Sequence, residues 1–275
     1  MKPFPMKAVL STAAILWLFV VALMPIVWVI LLSVKPGSLA FDKDAVFFFP
    51  PTFDNYQRLL ADGSFLHYFA NSVVVAVGTV VLSLVIGAPA AYVISRSRVR
   101  RFVMWALAYS LFIRIIPPVI FVMPYFLFFR LVGLSDTTLG LIIAYSNLNI
   151  PLVMWSLWTY FNEVPRELDE AASIDGAGPF RTFISVVFPA AAPGVAATAV
   201  ITFIMAWNEF LLALVLTTRE AKTLPVAIMG FLSYEGADWG LVSSGATMIM
   251  APVVFFTFFI QKYLVTGLGG GAVRG

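Results

Sequence analysis

Arg114 and Glu209 are ionisable side chains inside apolar runs long enough to cross a bilayer. A charge at that depth is costly unless it is paired or put to use. Two uses fit: the two neutralise each other, or Arg114 faces an aqueous cavity and contacts a passing solute. Tyr145, Asn147, Asn149, Trp155 and Asn208 fall near the middle of the fourth and fifth runs and set hydrogen-bonding groups beside aromatic faces. They could hold a polar solute, or the asparagines could bond neighbouring helices instead. None of this is bond-breaking chemistry. His67 is the single histidine and has no evident partner in the sequence. No His/Asp/Glu cluster has metal-ligand spacing, no Gly-x-Ser-x-Gly elbow occurs, and the phosphate-cradling Gly-x-x-x-x-Gly-Lys-Ser/Thr is missing. With no cysteine, disulfides, thiolate metal sites and a cysteine nucleophile are excluded. The chain is read as a non-enzyme, with no metal and no cofactor of its own.

A second constellation is mechanical. Glu170-Ala171-Ala172-Ser173-Ile174-Asp175-Gly176-Ala177 lies inside a polar interval, 162–188, that interrupts the apolar chain. Pro165 suits a first helical position, where its missing N–H is not needed. Glu167 and Asp169 follow in the first turn, where carboxylates favour the positive helix end. Ala171 and Ala172 continue the helix, and Gly176 ends it because glycine tolerates a left-handed backbone. Gly178-Pro179 then starts a second helix running toward Phe188-Pro189. The product is a short helix–turn–helix with a small-residue surface, suited to lying against another protein. The plainer alternative is a solvated loop between spans.

The elements that must position these residues are membrane spans. The chain has 275 residues, 61% hydrophobic and 11% charged, with a mean hydropathy of +0.97. A soluble domain carries about 25% charged residues, so much of this surface must face something other than water. Crossing the hydrocarbon core takes about 20 apolar residues. Six runs qualify: 8–34, 69–94, 102–132, 139–160, 190–216 and 241–265. The first is too long for a signal-peptide core, and no small-residue cleavage site follows it; it is read as a retained helix. The third holds Pro117-Pro118 and Pro124, which should kink or break it. The fold class is an all-α polytopic membrane protein with six transmembrane helices in one domain, 1–275.

Six spans put both ends on one side. One set of loops carries Lys2, Lys7, Arg96, Arg98, Arg100, Arg101, Arg166, Arg181, Lys262 and Arg274. The other carries Lys35, Lys43, Arg58, Arg130, Arg219 and Lys222, diluted by acids such as Asp42, Asp44, Asp136, Glu220 and Asp238. The positive-inside rule assigns the first set, with both termini and the Glu170 loop, to the cytoplasm. Two longer intervals, 35–66 and 217–240, then face outward. Phe47-Phe48-Phe49-Pro50-Pro51 is read as an aromatic interface belt, and Asp54-Asn55-Tyr56-Gln57-Arg58 as a short helix.

The Glu-Ala-Ala, two residues, Asp-Gly-Ala run, with Phe188-Pro189 beyond it, resembles the cytoplasmic loop of ABC importer permease subunits. The usual ending is Ile-x-Leu-Pro, and Val186-Val187-Phe188-Pro189 keeps its apolar character. Asn71-Ser72, Ala90-Ala91-Tyr92 with Arg96, Ile116-Pro117-Pro118, Trp207-Asn208-Glu209-Phe210 and the glycine-rich end extend the likeness from about Asn55 to Gly275. Together they look like the maltose-type, carbohydrate-importing branch with a type I permease fold.

That resemblance implies a non-catalytic subunit in the bacterial cytoplasmic membrane that moves a sugar or sugar derivative by alternating access. It implies four kinds of partner: a second related permease, two ATPase subunits that use ATP and Mg, an extracytoplasmic solute-binding protein, and the lipid bilayer. No nucleic acid is expected. Glu170, Ala171, Ala172, Asp175, Gly176, Ala177 and Gly178 would be the ATPase-coupling residues. Gly271, Ala272, Val273, Arg274 and Gly275 would lie along the ATPase interface, and Ser233, Tyr234, Glu235 and Gly236 would reach the binding protein. Arg114, Tyr145, Asn147, Asn149, Trp155, Asn208 and Glu209 would line the substrate path, where Arg114 would suit an anionic sugar derivative. An ion-gradient-driven secondary transporter would show intramembrane acids and paired broken helices in two related halves; Glu209 alone and no obvious repeat argue against it. A permease of the same superfamily for a polyol or glycerol phosphate stays open.

Overall fold

The computed structural model describes residues 6–61, 63–233 and 236–269. In chain order the helices are α1 (Met6–Ser33), α2 (Asp54–Ala61), α3 (Ser64–Arg96), α4 (Arg100–Ile115), α5 (Val119–Leu131), α6 (Thr138–Glu163), α7 (Glu167–Ile174), α8 (Pro179–Thr182), α9 (Phe188–Ala190), α10 (Ala192–Trp207), α11 (Leu211–Leu216), α12 (Leu224–Ile228) and α13 (Trp239–Gly269). A π-helical turn, Phe183–Val187, joins α8 to α9. Strands β1 (Leu232–Ser233) and β2 (Gly236–Ala237) form an antiparallel hairpin, pairing Leu232 with Ala237 and Ser233 with Gly236.

Among the described residues, four helical stretches are long and apolar enough to cross a membrane: Ser11–Ser33, Ser64–Arg96, Thr138–Glu163 and Trp239–Phe258. Two bent pairs make six if each counts as one span: α4 with α5, bent by 91°, and Pro179–Ala190 with α10, bent by 82°. The first bend has a covalent cause. Ile116 precedes a proline and is pushed out of the helical region, to φ −67°, ψ 123°. Pro118, at φ −54°, then opens α5. The expected run 190–216 is likewise two helices, α10 and α11, parted at Asn208-Glu209-Phe210.

By packing, the described residues fall into two compact units, those up to 66 with those in 227–251, and 67–226 with those from 252 onward. In the first unit, residues 11–27 of α1 are exposed around the whole helix, as for a helix that meets lipid or another chain. The far end of α1 is tied down by α2. Buried Asn55 donates its side-chain amide to Ser33 O (3.0 Å) and Lys35 O (2.9 Å), and the Tyr56 hydroxyl donates to Ser33 Oγ at 2.7 Å. Arg58 pairs with Asp238 at 2.6 Å.

The second unit holds the main core. Ala88 and Ala91 of α3 meet Val153, Leu157 and Phe161 of α6, with Phe183, Val187 and Ala191 closing the cluster. A side chain on Gly87 would lie 2.7 Å from Val153 Cγ1, so α3 and α6 touch there. The α6–α10 contact is sealed by a 2.7 Å hydrogen bond between the Ser156 and Thr198 hydroxyls. Close contacts through small residues are how helices associate where no hydrophobic drive separates them from lipid.

Candidate functional site

The loop between α6 and α8 is a self-contained corner. Glu167, Asp169 and Glu170 occupy the first turn of α7, where the orphan amides favour negative charge. At the other end, Gly176 N–H donates to Ser173 O (3.1 Å) and Ala177 N–H to Ala172 O (2.9 Å). That bond pattern is a Schellman cap, and it puts Gly176 at φ +81°, in the left-handed region. Gly178 is extended and Pro179 is the first residue of α8; Thr182 N–H returns to Gly178 O at 2.9 Å.

Not all of the expected coupling residues face outward. Ala172 is only 8% exposed and packs into its own chain, and Ala177 is half-buried. Glu170, Ala171, Ser173, Asp175, Gly176 and Gly178 are exposed. Beside them stand Ile174 and Phe180, 87% and 73% exposed, on either side of the turn. Sequence reasoning gave the close approach to alanines and overlooked these two. Their signal was available: two large apolar residues bracketing a polar Asp-Gly turn.

The corner is fastened to α3 chiefly by the Arg96 guanidinium. Arg96 Nε donates to Asp169 Oδ1 at 3.2 Å, and Nη2 lies 2.8 Å from Asp169 Oδ2. Arg96 Nη1 donates to Phe161 O (2.8 Å) and Nη2 to Val164 O (3.3 Å), at the end of α6. The Tyr92 hydroxyl donates to Asp169 Oδ1 at 2.8 Å. Arg166 Nη2 adds a bond to Ser95 O at 3.1 Å. Beneath, the Tyr92 ring stands 5.1 Å from that of Phe183 and 6.4 Å from that of Phe161.

The polar residues expected at membrane depth separate into two groups. Arg114, Asn149 and Glu209 line one cavity of about 270 Å³, with Ile113, Ile116, Pro118, Leu148 and Met205 as its apolar wall. Arg114 and Glu209 do not pair, which corrects one of the two uses expected for them: the Glu209 carboxylate accepts instead from Leu212 N (3.0 Å) and Ala213 N (3.3 Å). It caps α11, whose first amides have no intrahelical acceptor. Asn149 donates to Tyr145 O (2.8 Å), and the buried Tyr145 side chain lies beside Glu209. The remaining residues are placed elsewhere. Trp155 Nε1 donates to Leu107 O (3.2 Å), bridging α6 to α4. Asn147 donates to the Tyr125 hydroxyl, and Asn208 to Ile204 O of its own helix at 2.8 Å.

Residues 83–269 match the family described as the binding-protein-dependent transport system inner membrane component. The chain belongs to that family. The permease is 38% identical to the trehalose transport system permease protein SugB of Mycobacterium tuberculosis, over 92% of this chain and 93% of that one. It is 32% identical to the trehalose/maltose transport system permease protein MalG of Thermococcus litoralis, over the full length of both. Among solved structures, a bacterial ABC transporter involved in import of the acidic polysaccharide alginate is similar, with a TM-score of 0.78 at 25% identity, over 96% of this chain and 98% of that one. The fold is therefore that of an ABC importer permease, a multi-pass inner-membrane subunit.

On its other loops the permease has a second fastening that the sequence reading missed. Asp136 sits at φ +54° in the α5–α6 turn. Its carboxylate accepts from the Thr218 hydroxyl (2.7 Å) and from the amides of Thr218 (3.0 Å), Glu220 (3.1 Å) and Ala221 (3.1 Å). Burial by itself would raise the Asp136 carboxyl, but these donors outweigh it and hold it well below the usual carboxylate range. The same loop is gripped from α3. The Asn71 amide donates to Glu220 O (2.7 Å) and Lys222 O (3.1 Å), and Leu224 N–H donates to Ser72 Oγ at 2.8 Å. His67, expected to be without a partner, has its Nε2 2.9 Å from Glu220 O. Ser233 and Gly236 are paired at the base of the β1–β2 hairpin; Tyr234, Glu235 and the tail Gly271–Gly275 lie outside the described residues.

Proposed function

We propose that this permease carries a sugar or sugar derivative across the bacterial cytoplasmic membrane by alternating access, as one half of a translocation path completed by a second permease. ATP and Mg belong to two ATPase subunits beneath it, and this chain performs no catalysis. The observation that carries the reading is the α7 corner: a rigid, capped elbow showing Ile174 and Phe180 to its surroundings and fixed by Arg96 to α3. Ile174 and Phe180 bracket a polar turn outside the apolar spans, which supports an interaction site there, and this pair would seat in a groove of the ATPase. Glu170 would add a polar contact there, with Ala171 and Gly178 allowing close approach.

Both termini and the elbow lie in the cytoplasm in this reading, following the basic residues Arg96–Arg101. The tail Gly271–Gly275 would run along the ATPase interface. The β1–β2 hairpin around Ser233–Gly236 would meet an extracytoplasmic binding protein. The cargo would pass the Arg114, Asn149 and Glu209 cavity, and relatives that carry trehalose and maltose support a carbohydrate. ATP would favour the outward-open state through its differential binding.

Cross-linking tests the reading. With Ile174→Cys in the assembled transporter, a short thiol-reactive linker should trap the ATPase subunit, and uptake into vesicles should require ATP. Absence of any ATPase adduct, or uptake driven by an ion gradient alone, would overturn it.

A further inference from the structure

The chain joins α7 to only two neighbours. Val164–Arg166 link it to α6, and Asp175–Gly178 link it to α8. The helix α3 has no such link, since Arg96 and Asp169 are 73 positions apart. Any movement of α7 would therefore reach α3 only through side chains. We propose that Arg96, Asp169 and Tyr92 are positioning residues that bind α3, the end of α6 and the start of α7 into one lever. Displacement of the elbow by its partner is then delivered to α3 as well as to its covalent neighbours. This rests on the reading that the elbow meets an ATPase.

The chemistry suits that task and little else. A guanidinium is planar with five N–H donors in a fixed fork, and Arg96 spends them on three elements at once. Two nitrogens face the Asp169 carboxylate in the first turn of α7. Donors from Nη1 and Nη2 reach Phe161 O and Val164 O, where the last carbonyls of α6 lack helical partners. The charges also agree with the helix ends, positive at the C-terminus of α6 and negative at the N-terminus of α7. Tyr92, one turn before Arg96 on α3, also donates its hydroxyl to Asp169 Oδ1. The Arg96 and Asp169 side chains are 15% and 19% exposed, so water competes little for these bonds. A lysine supplies a point charge without the fork and could not hold all three elements.

A fold staple and a lever differ in what happens during turnover. The chain has no cysteine, so spin labels can be placed at Ser97→Cys on the α3 side and Ser173→Cys on α7 in the complete transporter in nanodiscs. The label distance should be the same in the nucleotide-free and ATP-bound states. With D169N or R96Q added, it should shift or broaden when ATP binds. In those variants basal ATP hydrolysis should stay within about twofold while uptake falls about tenfold or more, as expected when a buried charge pair loses a partner; R96K should fall between. The proposal is overturned if the parent distance changes between states, or if D169N keeps its narrow distance and its uptake. Should R96Q fail to assemble, the parent distance and D169N still decide. An Ile174→Cys adduct that survives in D169N would show that the docking reading holds even if the lever does not.

Discussion

The Thr218 hydroxyl donates to Asp136 Oδ2 at 2.7 Å, across 82 positions of sequence. With the surrounding amides, this pair nails the 217–224 loop to the α5–α6 turn. Asp136→Asn should keep the shape and lose the charge, costing about 1–2 kcal/mol in charge-assisted hydrogen bonding. Amide exchange at residues 218–221 should then rise by roughly tenfold or more. The folded pKa is depressed, so the stabilisation is complete above the ordinary value of 3.8 and is lost as pH falls through the lower folded value. Exchange protection of this loop should therefore be flat from neutral pH down to about 4 and fall only below that.

At the elbow, Gly176 has open space around it and a φ of +81°. A substitution there meets no neighbour, so its whole cost is backbone strain, about 1–2 kcal/mol. Gly176→Asp should abolish uptake while the protein remains in the membrane at parental level. Immunoblots of membranes beside uptake assays check this. Loss of the protein itself would contradict an effect confined to the turn.

Gly194 behaves in the opposite way. Its added side chain would occupy the ring of Tyr160, where α6 and α10 cross. Gly194→Ala should lower the thermal midpoint of the purified complex, at a cost of about 1–3 kcal/mol for overpacking. Adding Tyr160→Val should restore much of it, and a strictly additive double variant would contradict the contact.

Because Arg114 and Glu209 share a cavity without pairing, their removal should be only weakly coupled. A double-mutant cycle with R114Q and E209Q should give an interaction term of about 0.5–1 kcal/mol, at the low end for residues sharing a cavity, whereas breaking a buried ion pair costs about 3–5 kcal/mol. Glu209→Ala, which strips the cap from α11, should cost about 1 kcal/mol alone. Thermal midpoints of the four proteins in detergent supply both numbers.

How much of this was written plainly in the chain depends on range. Apolar runs of spanning length locate the long helices, and the Ile116-Pro117-Pro118 step locates the α4–α5 break, because both are local properties. The Gly176 turn is equally local, since a glycine after an alanine-rich helix has one common use. Arg96 with Asp169, and Asp136 with Thr218, were invisible as pairs. Arg96, Asp169 and Asp136 were already accounted for separately, as a topology marker, a helix-start acid and a diluting charge, and only folding brings them within 3 Å of their partners. The opposite error occurred at Arg114 and Glu209, where two lone charges invited a pairing. The chain satisfies Glu209 instead with Leu212 and Ala213, three and four residues along.

The double proline at the α4–α5 bend has one more result. Pro117 and Pro118 carry no N–H, so the carbonyls of Ile113 and Arg114, four residues earlier, lose the donors an uninterrupted helix would supply. Hydrocarbon offers no replacement, and broken backbone at membrane depth survives only against protein or beside water. Protein or water, not lipid, must therefore cover this bend, and it is there that the Arg114 guanidinium lines its cavity.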